Sequence, residues 1–443
     1  MALIHATQLN QIYRAFRNEP LAQDELEEFY RDAAEARGEK TRVRLERQLR
    51  VNMDTNEHIL LVGYKGCGKS TELNLLEHHL NDEFLVMNVS VQRELDPVHV
   101  QYIELFIVMM EQLFQKADQY GLKLRDELLK SVKTWTQSKE IEEIREKYIG
   151  GELEAGGGFD IKYFVNFFAK FKLAAKSSQS LKVSLKDNVE PRLNDLITHC
   201  NDLINEIRLR LNDIGKKDLL IIIEDLDKIP IDRAQDLFYN YTNQLVRLNT
   251  NIIYTFPVAL YYNVRFNQIK SYFSKIYELP MISTSNPDGS DNHSGIQIMR
   301  DIVEARMDTS ILFEKSTLLD NMIRRSGGVI RDLFLLINEA ADSAMDHDRT
   351  SMNMDDCENG FNRLRKDYDN NIADKRVGDK VLITADQYYA TLAALMQSKE
   401  KKVDNTEAAL DLRQNLSILG YNGKGWCDVH PIVKEILRER GKL

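Results

Sequence analysis

Two short stretches carry residue types that could do chemistry together. The first is GYKGCGKST at 63–71, which fits the spacing GxxxxGK[ST]. In such a loop, main-chain N–H groups around Gly63, Gly66, Cys67 and Gly68 turn inward on a polyphosphate, and Lys69 neutralises its β- and γ-phosphates. Ser70 supplies a hydroxyl for Mg²⁺, and Thr71 continues the helix whose N-terminal dipole favours the anion. The second stretch is LLIIIEDLDK at 219–228, an apolar run that delivers Glu224, Asp225 and Asp227 at its end. One carboxylate there would hold Mg²⁺, here Glu224, and the next, Asp225, would polarise an attacking water. The expected ligands are therefore ATP and Mg²⁺.

Both stretches need the carboxyl edge of an open parallel sheet, where ligands of such folds bind. The apolar run ending at Gly63 reads as one strand, and four others follow at 84–91, 219–223, 251–260 and 276–283. Helical patterns separate them, so an α/β fold with a five-stranded parallel sheet is expected. Residues 1–50 are charged and helix-compatible and read as a solvated helical segment, followed by a core over 51–290. The stretch from about 95 to 217 is far longer than one crossover and reads as an insertion. The linker NPDGSDNHSG opens a helical unit over 291–378, and 379–443 reads as helices followed by a β-hairpin turning at Asn422-Gly423, a winged-helix pattern.

Composition narrows the partners. A net charge of −10 opposes non-specific attraction to nucleic acid or anionic lipid. The four cysteines, at 67, 200, 357 and 427, lack metal-type spacing and point to a reducing, cytoplasmic setting. The longest aliphatic run cannot span a bilayer, and MALIHATQLNQIYRAF is too polar for a secretion signal.

With the loop, the strand end IIIEDLDK, the fourth strand ending in YTFP, the phrase SGGVIRDLFLLINEAADSA and the C-terminal hairpin in this order, the chain resembles AAA+ ATPases of the origin-recognition (initiator) clade and the related STAND signalling ATPases. The resemblance runs from about 51 to 443 and implies a helical lid over the nucleotide. It implies a sensor role for Thr255 on the fourth strand and contact of Arg331 with the γ-phosphate. Two departures stand out. The strand end reads Glu-Asp where the family has Asp-Glu, and Tyr272 stands where an arginine would reach a neighbour's nucleotide, with Arg265 the nearby substitute. Slow hydrolysis, and a switch that controls a protein effector, are the resulting expectations. Prokaryotic anti-phage defence is the setting the resemblance implies, and self-assembly is compatible with it. The alternatives are a DNA-binding initiator or loader, and a scaffold in which ATP is structural.

Two surfaces invite a test. Between Ile161 and Lys186 six lysines and no acid interleave with aromatics, which reads either as a docking surface or as a helix with its aromatics in the core. In the C-terminal unit, TEAALDLRQNL offers Glu407 and Asp411 against Arg413, the wrong sign for DNA phosphates. Trp426 and His430 read as structural.

Overall fold

The computed structural model describes residues 3–53, 55–149, 160–178, 180–182, 185, 193–421 and 425–442. Five strands form the expected sheet: β1 (His58–Gly63), β2 (Phe84–Ser90), β3 (Asp218–Glu224), β4 (Asn251–Phe256) and β5 (Lys275–Leu279). Their order is β2-β3-β4-β1-β5, and every pair is parallel. The first four are apolar through their middles and buried along nearly their whole length because helices cover both faces. Two strands stop short of the apolar runs that suggested them, each at a proline. β4 ends at Phe256, and Pro257 leads into the helix Val258–Tyr262; β5 ends at Leu279 before Pro280. Proline has no N–H to give the ladder.

The insertion is helical and belongs to the core. The helices Tyr102–Gln119, Asp126–Thr136, Ile161–Ser177 and Leu193–Arg208 share one apolar cluster with the sheet face they cover. This overturns the docking reading of the lysine-aromatic stretch. Phe164, Phe167, Phe168 and Phe171 are buried, with Phe164 stacked 4.8 Å from Phe114. The missing acids lie elsewhere in the chain. Lys172 reaches Glu94 and Glu111 at 2.6 Å each, and Lys182 lies 3.3 Å from Asp96 and 3.4 Å from Glu104. Lys176 donates to the Arg93 carbonyl, whereas Lys162 and Lys170 are exposed. Residues 150–159 and most of 183–192, which flank this helix, lie outside the described residues.

Residues 3–53 are not a solvated preface. Leu9, Ile12 and Phe16 are buried in the lid cluster, with Phe16 edge-on to Phe334 at 5.1 Å. Leu45 and Leu49, one turn apart on the helix Thr41–Val51, pack on the other sheet face. The lid comprises the helices His293–Glu304, Ser316–Arg325, Ile330–Asp346 and Met354–Asn371. After an unanticipated hairpin, Lys375–Val377 with Lys380–Ile383, come the helices Ala385–Gln397 and Glu407–Gln414. The expected antiparallel hairpin follows, Ile418–Tyr421 with Trp426–Val429, and a last helix Pro431–Glu439. Its turn, at Asn422-Gly423, lies outside the described residues. His430 is structural: its Nδ1 accepts from the Ile432 N–H, so Nε2 carries the proton and donates towards the Ser326 carbonyl 3.1 Å away. Among the described residues no helix is long and apolar enough to cross a membrane, and no group of side chains could hold a metal through His, Cys, Asp and Glu alone.

Candidate functional site

β1 ends at Gly63 and the helix Lys69–Leu80 begins at Lys69, so the loop between them opens at the carboxyl edge of the sheet. Gly66 and Gly68 sit at φ +75° and +97°, which L side chains rarely adopt. A methyl group on Gly66 would also lie 3.0 Å from Arg331 Cβ, so the lid approaches the loop this closely only over glycine.

Lys69 is buried, and its ammonium donates to the carbonyls of Gly63 and Tyr64 at 2.8 Å each. It also pairs with Asp227 Oδ2 at 2.9 Å. Burial opposes both charges, but their attraction outweighs it. The Lys69 ammonium is held above its ordinary pKa and the Asp227 carboxyl below. Glu224 lies in reach of the Ser70 hydroxyl and accepts from Asn88 Nδ2 at 2.7 Å. Burial raises its carboxyl, while those two donors oppose the rise. A hydroxyl and a carboxylate set side by side beside the loop are the hard oxygen donors that Mg²⁺ takes, so the residues present fit the ion.

Asp225 follows β3 in a left-handed conformation, φ +70°. Both of its carboxylate oxygens are engaged. Oδ2 accepts from the Ser90 hydroxyl at the end of β2, and Oδ1 lies 2.6 Å from Lys228 Nζ. Thr255 does not point its hydroxyl into the cleft. Its Oγ1 accepts from the Leu226 N–H at 3.1 Å and lies 3.4 Å from the Ile223 carbonyl, which pins the turn that carries Asp225 and Asp227.

A half-open cleft lies over the loop. Gly66, Lys69, Ser70 and Thr71 form its floor; Arg331, Ile302 and Phe334 of the lid form one wall. The opposite wall, Leu21, Phe29 and Tyr30, comes from the N-terminal segment. Two arginines that line the cleft, one from the N-terminal segment and one from the end of the helix His293–Glu304, were not singled out by sequence. Arg37 is buried and donates to the Cys67 carbonyl at 2.6 Å and to the Pro280 carbonyl, which ties loop and β5 together. Arg306, also buried, donates to main-chain carbonyls and lies over the Phe334 ring; burial brings its pKa down to about 10. Nothing marks either among the many arginines of the chain. The signal that was present is the apolar spacing of Leu9, Ile12 and Phe16, which calls for a packed N-terminal segment. Arg265 is exposed and lies over the Tyr239 ring at 4.4 Å, and Tyr272 is exposed.

Residues 49–256 match the KAP family P-loop domain. Solved structures that align with the chain include the Aeropyrum pernix ORC2 protein in ADPNP-ADP complexes, at 10% identity and a TM-score of 0.41 over 97% of this chain and 98% of that one. The Walker-type ATPase of Pyrococcus abyssi matches at 13% identity and a TM-score of 0.42, over 96% of this chain and 99% of that one. Cdc6p from Pyrobaculum aerophilum matches at 10% and 0.39, over 97% and 98%. No curated protein matches the chain by sequence. With its phosphate loop, the acidic end of β3 and the parallel sheet that joins them, the chain carries a P-loop NTPase domain of the KAP type over residues 49–256.

Proposed function

We propose that the chain binds ATP with Mg²⁺, hydrolyses it slowly, and uses the bound nucleotide as a switch over a protein effector. The observation that carries this reading is the closure of Asp225. A carboxylate whose two oxygens already accept from Ser90 and Lys228 is not free to orient a water. The phosphate loop, with Gly66, Gly68, Lys69, Ser70 and Thr71, lines the cleft, although Lys69 is paired with Asp227. In this reading Lys69 leaves Asp227 for the β- and γ-phosphates, and Ser70 and Glu224 hold Mg²⁺, which supplies charge neutralisation between the phosphates. Asp225 orients the water once released, Thr255 fixes the turn on which Asp225 sits, and Arg331 reports the terminal phosphate to the lid.

The DNA-loader alternative loses its best cation. Arg413 is buried against Tyr64 and Tyr262 and is unavailable to phosphates. A single-turnover assay tests the switch directly, with turnover expected below about one per second. Fast hydrolysis by the isolated protein would overturn it, and nucleotide that co-purifies and never hydrolyses would favour the scaffold. Purification at low salt from the native host then identifies the effector, with a component of anti-phage defence the expected result; salt-sensitive retention of DNA instead would favour the loader.

A further inference from the structure

The acidic turn after β3 carries one cation of its own, Lys228, whose part so far is only to hold Asp225 closed. Lys228 follows Asp227 and belongs to the wall of the nucleotide cleft, alongside Lys69, Ser70 and Arg331. It also borders the neighbouring cavity, between the β3 turn and the helix Glu407–Gln414, together with Lys65. Its Nζ sits 2.6 Å from Asp225 and is close enough to Glu224 and Asp227 to stabilise both of their charges. The side chain is a quarter exposed, so it is anchored by charge rather than packed in place.

From this placement we infer that Lys228 is a γ-phosphate-binding residue that exchanges Asp225 for the terminal phosphate when ATP enters. The inference rests on the ATP-binding reading of the cleft. A triphosphate brings several negative charges to a cleft wall where Lys228 pairs directly with one carboxylate and lies near two more, and a flexible four-carbon stem lets the ammonium change partner. The exchange has two effects at once. It neutralises the terminal phosphate from within the same chain, where Tyr272 replaces an arginine expected to act between copies. It also frees one oxygen of Asp225 while Ser90 keeps the other, so the residue that orients water is released only in part, and only when there is a γ-phosphate to attack, which keeps turnover slow. ADP, which lacks that phosphate, leaves the Lys228–Asp225 pair closed.

The test compares Mg²⁺-AMP-PNP with Mg²⁺-ADP by calorimetry on the full chain, as wild type, Lys228→Ala, Lys228→Gln and Lys228→Arg. Removing the charge should weaken AMP-PNP about tenfold or more and leave ADP within about twofold, and arginine should restore most of the loss. The glutamine variant keeps the stem and serves if the alanine variant does not fold. Asp225→Asn, which releases Lys228, should raise AMP-PNP affinity relative to ADP, and adding Lys228→Ala should abolish that gain. Equal loss for both nucleotides, or none for either, overturns the inference while the ATP reading stands. Failure of the wild type to bind either nucleotide overturns both.

Discussion

Lys69 has a second partner that its motif does not mention. Because it neutralises a buried Asp227, replacing it removes more than phosphate affinity; it strands a carboxylate in the interior. Breaking a buried pair from one side costs about 3–5 kcal/mol. Lys69→Ala should therefore lose nucleotide binding and also lower the midpoint of urea unfolding. Adding Asp227→Asn should recover most of the stability without recovering binding, and an unchanged midpoint in the single variant would show that the pair contributes nothing. Asp227→Asn alone should bind ATP at least as well as wild type by calorimetry, since the phosphates no longer compete with a carboxylate for Lys69. The phosphate loop and the order Glu224, Asp225 were legible in the sequence because their chemistry depends on neighbours in the chain. The contacts of Arg37 with Cys67, of Arg306 with Phe29 and of Ser90 with Asp225 were not, because each joins positions 30 or more apart.

At the scale of elements, local charge proved a poor guide to exposure. The stretch 161–186 is basic by itself, yet Lys172 and Lys182 are neutralised by acids at 94, 96, 104 and 111, which the fold brings over from the start of the insertion. Burial pushes the Glu104 carboxyl up to about 7, against the pull of Lys182. The folded state thus holds a proton that the unfolded chain has lost, and stability should fall as pH rises from about 4.5 to about 7 and then level off. Glu104→Gln should flatten that slope in urea titrations. Lys182→Ser should cost on the order of 3 kcal/mol near pH 8 and less near pH 5, where Glu104 is protonated. Lys170→Ser, at an exposed position, should change neither measurement. Strand positions were readable from apolar runs, and only the proline stops shortened two of them.

Across the whole molecule, the C-terminal unit reaches back to the phosphate loop. Arg413 donates to the Tyr64 hydroxyl at 2.9 Å and lies 4.0 Å over the Tyr262 ring, while Met281 N–H donates to the Gly420 carbonyl. On the lid side, Tyr421 donates to the Gly327 carbonyl and Tyr368 to Asp332, which faces His430. Arg413→Ala should lower ATP affinity several-fold by loosening Tyr64, and cost about 2–4 kcal/mol of stability, read by calorimetry and denaturant titration. None of this was visible in the sequence, where Tyr64 is an interior position of a glycine-rich loop and Arg413 a lone cation on an acidic helix.

The approach of Gly420 to Tyr64 has a consequence for how such a chain can change over generations. A Cβ at position 420 would stand 2.7 Å from the Tyr64 hydroxyl, so the hairpin and the loop are fitted to one another at a single glycine. A C-terminal unit borrowed by recombination from a relative would arrive without that fit unless it brought its own small residue there and its own partner for the tyrosine. Hybrids that swap residues 379–443 should therefore fold when the incoming unit carries glycine at 420 and a donor at 413, or when position 64 is exchanged with it, and fail otherwise in denaturant titration.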